Sequence, residues 1–209
     1  MKVNDELWDA IVFGERDEVV EIVDELVAQG VNVNEMLNVT MIPALREVGN
    51  QFSRNEVFIP EMLVAAKAMQ AGMDIIEPLL VQSGAEPVAR VCIGSVKGDL
   101  HDIGKNLVVM MLKGAGFEVD DIGVDCRIDD YQAAVDRGAS VVCLSALLST
   151  TRDEMRPVIE HFDPRDDIRV VVGGAAITPD FARQIGADEF GIDASDAVRA
   201  VRSSLGLAA

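Results

Sequence analysis

From Arg90 onward, four short apolar, strand-like runs and a fifth, shorter strand-like stretch return at intervals filled by amphipathic stretches, and this alternation restricts the fold more than any other feature of the 209-residue chain. The runs are Arg90–Ser95, Glu118–Ile122, Ser140–Ser145, Ile168–Val172 and a short one near Asp188–Phe190. Helical spacing fits Lys105–Ala115, Asp130–Arg137, Arg152–His161, Pro179–Ile185 and a last segment from about Ser195. Strands that are apolar throughout must be covered on both faces, and a helix between each pair of strands supplies that cover. The pattern predicts a flavodoxin-like (Rossmann-like) α/β domain with a five-stranded parallel sheet. In such a sheet ligands sit beyond the carboxyl ends of the strands, so function is expected in the loops after Ser95, Ser145 and Val172.

Residues 1–83 carry no convincing strand. Asn4 is placed to cap a helix running to about Phe13, and a second helix fits Asp17–Gln29 and stops at Gly30. A third starts near Asn34 with Met36, Val39, Ile42, Leu45 and Val48 on one stripe. The fourth starts at Pro60 and spaces Leu63, Ala66, Met69, Met73 and Ile76 along a face. Four helices with short loops predict an all-α four-helix bundle ahead of the sheet. Gln82–Pro87 reads as a linker by composition. The expected division is therefore a helical cap at 1–83, a linker at 84–88 and an α/β domain at 89–209.

Thirty-six acidic residues against 18 basic ones leave a net charge of −18. That charge repels phosphate backbones, so no nucleic acid is expected as partner. No apolar run reaches the ~18 residues of a membrane helix, and the opening Met1–Asp5 lacks the apolar segment of a signal peptide. Cys92, Cys126 and Cys143 are odd in number and far apart, and two of them fall inside strand-like runs. They read as reduced core thiols of a cytoplasmic protein.

The loop after the first strand reads Val96-Lys97-Gly98-Asp99-Leu100-His101-Asp102-Ile103-Gly104-Lys105-Asn106. A loop imidazole is a good transition-metal ligand, and a carboxylate such as Asp99 can hold its second nitrogen. The same spacing also fits a plain strand-to-helix turn in which Asp99 or Asp102 caps the helix. Gly98 and Gly104 permit tight turns, and Lys97 and Lys105 read as solvated surface. The second loop places Ser145, Ser149, Thr150 and Thr151 at a strand's carboxyl end, where Thr151 and Glu154 have the spacing of a capping box. The third loop pairs Gly173 with Gly174, and Thr178-Pro179 reads as a helix start.

Together the loops resemble the cobalamin-binding signature Asp-x-His-x-x-Gly, Ser-x-Leu, Gly-Gly. Here it stands as Asp99-Leu100-His101-Asp102-Ile103-Gly104, Ser145-Ala146-Leu147 and Gly173-Gly174, with 40 and 25 residues between the parts. Val48–Phe52, Val57–Leu63 and Ala68-Met69 are similar to the helical cap of the same family. The resemblance is to the small corrinoid proteins of methyltransferase systems, and to the cobalamin module of methionine synthase.

That resemblance implies cobalamin or a related corrinoid, carried as cob(I)alamin and methylcobalamin, with His101 as the lower cobalt ligand. Asp99 would hold the other ring nitrogen and Thr151 would extend the relay. Asp102, Ile103 and Gly104 complete the motif. Ser145 and Leu147 would line the slot for the displaced nucleotide tail, and Gly173 and Gly174 would leave room for its base. Ser149 would touch the corrin rim and Ala194 the tail. Phe58, with Met62, Met69 and Met73, would form an apolar lid on the upper face, although spacing alone makes the methionines ordinary bundle core. The chain would not be a catalyst by itself. It would carry a methyl group from a substrate-specific methyltransferase, acting on a methylamine, methanol, betaine or aryl methyl ether. A second methyltransferase would pass it to tetrahydrofolate or a thiol, and a reductive activator would rescue cob(II)alamin. The alternatives are a cobalamin-dependent sensor, a detached cobalamin subunit of a mutase, and an α/β domain without cofactor.

Overall fold

The structure is a computed structural model that describes residues 4–82 and 87–207. The linker expected at 84–88, including Gly84, lies mostly outside the described residues. The chain divides into two compact units, Met1–Pro87 with Lys113–Gly116, and Val88–Leu112 with Phe117–Ala209. Among the described residues no helix is long and apolar enough to cross a membrane.

The first unit is helical: α1 (Asp5–Phe13), α2 (Arg16–Ala28), α3 (Val33–Met36), α4 (Ile42–Ser53) and α5 (Ile59–Gln82). Asn4 caps α1 as expected, its side chain accepting from the Leu7 N–H at 2.7 Å. The third predicted helix is one continuous rod, but a π turn at Leu37–Met41 joins α3 to α4. A π turn adds a residue to the repeat and rotates the next turns of the helix. The buried stripe consequently runs through Met36, Leu37, Thr40, Met41, Ala44, Leu45 and Val48. Val39 and Ile42, expected on it, are only half-buried. Met62 and Met69 are buried in the core, as their spacing requires, whereas Phe58 is exposed.

The second unit contains β1 (Arg90–Val96), α6 (Ile103–Gly114) up to Leu112, β2 (Glu118–Cys126), α7 (Ile128–Asp136), β3 (Val141–Ser145), α8 (Met155–Phe162), β4 (Arg169–Gly173), α9 (Pro179–Ile185), β5 (Glu189–Gly191) and α10 (Ala194–Ser204). The strands form one sheet in the order β2-β1-β3-β4-β5, every neighbouring pair parallel. The strand direction of travel reverses between β1 and β3, the switch point at which doubly wound sheets bind ligands. Ser95 pairs with Ser145, and Ser145 with Gly173, so all three motif loops leave the sheet at one level. One face packs Cys92, Val142, Leu144, Val170 and Val172 against Tyr131, Met155 and Phe162. The Tyr131 hydroxyl, buried with them, donates to the Gly94 carbonyl at 3.1 Å. Strand β2 runs four residues past the expected Ile122. Gly123 and Asp125 break the apolar run there, but an edge strand needs only one covered side, and it continues through two bulges opposite β1.

Candidate functional site

The penultimate residue of β1 carries a hydroxyl. Ser95 is fully buried and donates to the His101 carbonyl oxygen at 2.6 Å, drawing the loop back over the strand end. Gly98 turns the chain with φ +80°, a conformation that suits glycine. Asp99 then points inward with 0% of its surface exposed. A buried carboxylate without partners is prohibitively costly, and Asp99 has partners on both oxygens. Oδ1 accepts from the His101 backbone N–H at 3.1 Å and lies 2.8 Å from His101 Nδ1. Oδ2 accepts from the Leu147 N–H at 2.8 Å and the Thr151 hydroxyl at 2.7 Å, with the Leu148 N–H at 3.4 Å.

Burial by itself pushes the Asp99 carboxyl upward. The bonds donated by Thr151, by the His101 N–H and ring, and by Leu147 outweigh it, so the group is held well below the ordinary carboxylate range. An ionised Asp99 only accepts, which places the ring proton on Nδ1 and leaves the Nε2 lone pair of His101 free to bind a metal. Half of the His101 side-chain surface is exposed. The loop therefore leaves the imidazole half open to solvent above a buried, charged carboxylate.

Thr151 departs from its expected second role. It makes no side-chain cap on the 3-10 turn Arg152–Glu154 that leads into α8. Its hydroxyl is turned instead toward the buried Asp99 carboxylate, to which it donates at 2.7 Å, and away from the N–H groups of the turn. Thr178 does cap α9, accepting from the Phe181 N–H at 3.2 Å with Pro179 at the first position.

On the third loop Gly174 has φ +115°, and a Cβ added there would stand 2.1 Å from the Ala146 carbonyl oxygen. Only glycine allows the loops after β3 and β4 to lie this close. Gly173 is tighter than ordinary packing allows, with an added Cβ 3.0 Å from the Gly191 oxygen. Around these loops Leu100, Ile103, Leu147, Leu148 and Ile192 expose large apolar side chains. Solvent-facing leucine and isoleucine grouped beyond the strand ends suit a broad, partly apolar ligand. A single imidazole suits a metal that brings its own equatorial ligands. The residues present thus fit a corrinoid.

Residues 89–202 match the B12 binding domain, and residues 3–77 match a second family, also described as a B12 binding domain. A corrinoid protein of Desulfitobacterium hafniense (strain Y51) is 33% identical over 213 residues, 99% of each chain. Trimethylamine corrinoid protein 1 of Methanosarcina acetivorans is 36% identical over 203 residues, 94% of each. The chain belongs to the B12-binding corrinoid proteins. Among solved structures, a cobalamin-binding protein from Desulfitobacterium hafniense DCB-2 superposes with a TM-score of 0.77 and 28% identity, over 95% of this chain and 96% of that one. The methanol:cobalamin methyltransferase complex MtaBC from Methanosarcina barkeri gives 0.81 with 26% identity, over 96% and 78%.

Other residues of the corrinoid signature take plainer positions. Asp102 is exposed and accepts from the Asn106 side chain at 3.2 Å. Gly104 adopts no left-handed turn, contrary to the tight turn expected of it; it sits in the first turn of α6, where an added Cβ would meet open space. Ser145 is half-buried and Ser149 exposed. Ala194 opens α10 and is buried in the α/β unit. Phe58 stands in the helical unit, where its N–H donates to Glu61 at 2.7 Å. Lys105, expected in solvent, is 3% exposed and bonds both Asp121 oxygens at 2.5 and 2.6 Å.

Sequence reasoning missed Ser95, Lys105 and the Leu147 amide. Among the described residues the buried polar or charged side chains are Thr40, Ser95, Asp99, Lys105 and Thr151. Four of these five belong to or brace the histidine loop, which locates the site by burial alone. Ser95 did leave a trace in the sequence, as a hydroxyl near the end of an apolar strand.

Proposed function

We propose that this chain is a corrinoid methyl carrier in which His101 Nε2 is the lower axial ligand and Asp99 and Thr151 are its relay. The observation that carries this reading is the fully buried Asp99 carboxylate, bonded to His101 Nδ1 through one oxygen and to the Thr151 hydroxyl through the other. Bound corrinoid would supply cobalt able to accept and give up a methyl group; the protein supplies binding, orientation and electrostatics.

Each residue's contribution follows from its place. Asp99 fixes the tautomer of His101 and makes its free nitrogen a stronger donor. The Asp99 carboxylate, 2.8 Å from Nδ1, would hold the imidazole in place beneath a bound corrinoid. Thr151 and the Leu147 N–H hold that carboxylate in one orientation. Gly174 lets the β3 and β4 loops lie against each other and Gly173 lies close to the Gly191 carbonyl of β5, which fixes the rim of the sheet, and the exposed leucines and isoleucines offer an apolar shelf that sheds water on binding. The donor enzyme would be a methyltransferase for a methylated amine or methanol, in keeping with the relatives' names, and a second methyltransferase and a reductive activator would complete the set of partners.

The test is the ultraviolet–visible spectrum of the protein with added cobalamin. Wild type should show nitrogen ligation from the protein, and His101→Ala should lose it while keeping the helical and strand signals of the fold. An unchanged cob(III)alamin spectrum in the variant would remove His101 from the metal.

A further inference from the structure

Strand β2 does more than edge the sheet. At its far end Asp125 has φ +54°, a backbone conformation that strains any residue other than glycine and is tolerated best by asparagine and aspartate. From that position its N–H donates to the Asp99 carbonyl oxygen at 3.0 Å, and its Oδ1 accepts from the Gly98 N–H at 2.6 Å. The two bonds form a clasp across the start of the histidine loop. Four residues earlier Asp121 holds Lys105 at the other end of the loop, through contacts of 2.5 and 2.6 Å. Asp121 pairs with Ile93 in simple register, and both bulges follow it, so that Asp125 falls in the stretch between Gly123 and Cys126 where the register shifts. The last third of β2 thus ties down both ends of the segment 98–105, and the signature histidine lies between.

We infer that Asp125 is a positioning residue for His101. It fixes the Gly98–Asp99 peptide, so that the Asp99 carboxylate is already aimed at His101 and Thr151 before corrinoid binds. A glycine at 125 would relieve the backbone strain but remove the acceptor, so aspartate is explained by its side chain and not by its backbone. The inference rests on His101 being the cobalt ligand.

Two variants of the full-length protein separate the causes. Asp125→Asn keeps an oxygen acceptor and tolerates positive φ; Asp125→Gly keeps the turn and loses the acceptor. The first readout is amide hydrogen exchange at Gly98 without corrinoid. The second is the ratio of His-ligated to unligated cobalamin in the visible spectrum. Asp125→Gly should speed Gly98 exchange and lower the ligation ratio, each about tenfold, the worth of one hydrogen bond to a charged group. Asp125→Asn should stay within about twofold of wild type, since an amide oxygen still accepts. Equal exchange and equal ligation in Asp125→Gly and wild type, with the wild type His-ligated, would overturn the clasp and leave the ligand assignment standing. A wild type without protein nitrogen on cobalt would overturn the ligand assignment and with it the positioning role, while Gly98 exchange would separately report whether the Asp125 bond forms.

Discussion

Replacing Asp99 by asparagine keeps the size of the side chain and exchanges one acceptor oxygen for an N–H2 donor. Donors face both oxygens, so neither orientation of the amide satisfies the site. With the N–H2 toward Leu147 and Thr151, the hydroxyl can rotate to accept, but the Leu147 N–H is left buried and unpaired. With the N–H2 toward His101, the His101 N–H is orphaned, and Nδ1 must accept, which moves the ring proton to Nε2 and removes its free lone pair. One orphaned amide costs about 1–3 kcal/mol, and each remaining bond falls from charge-assisted to neutral, so Asp99→Asn should destabilise the α/β unit by about 3–5 kcal/mol. In urea that is a midpoint shift of roughly 1–2 M. Thr151→Val removes a single donor and should cost about 1.5–3 kcal/mol. The double variant should cost less than the sum, because both changes break the same bond. The wild-type advantage also depends on pH. The folded carboxyl titrates below its ordinary value, so its contribution is complete above the unfolded value of about 3.9 and fades as pH falls. The gap between wild type and Asp99→Asn should accordingly narrow below about pH 4. A cost under about 1 kcal/mol at neutral pH, or additive single variants, would mean that the carboxylate is not the hub of the loop.

Two further outcomes are expected. Gly174→Ala combines a forbidden φ with a Cβ driven against the Ala146 carbonyl, so it should cost about 2 kcal/mol or more in urea unfolding and weaken cobalamin binding; wild-type affinity would show that this loop does not shape the pocket. Burial pushes the thiol of Cys92 up to about 12 and that of Cys126 up to about 11, and Cys143 is raised as well, so a disulfide reagent at pH 8 should label the folded protein slowly and react with three thiols once it is denatured; rapid labelling of the native chain would contradict the packing of β1–β3.

Much of the fold could be read along the chain because its signals are local. The apolar runs of β1, β3 and β4 lie within two residues of their positions in the sheet, since a strand covered on both faces must be apolar along its length. Asn4 and Thr178 cap their helices through contacts only three residues long. The signature His101, Ser145 and Gly173 also stood out, because strand order and spacing bring them to one rim whatever the details of packing.

The features beyond the reach of the sequence depend on contacts between residues far apart in the chain. Thr151 has the spacing of a helix cap, yet its hydroxyl goes to Asp99, 52 residues away, because only the folded sheet brings a buried carboxylate within 2.7 Å. Lys105 reads as surface until β2 places Asp121 beside it and offsets the cost of burial. The π turn at Leu37–Met41 shifts the buried stripe by a residue, a choice made by packing and invisible to a fixed 3.6-residue period. Asp125 lies beyond the strand end expected at Ile122, and its bond to the Gly98 N–H of the histidine loop was hidden for the same reason: a hydrogen bond needs both partners, and sequence shows only one at a time.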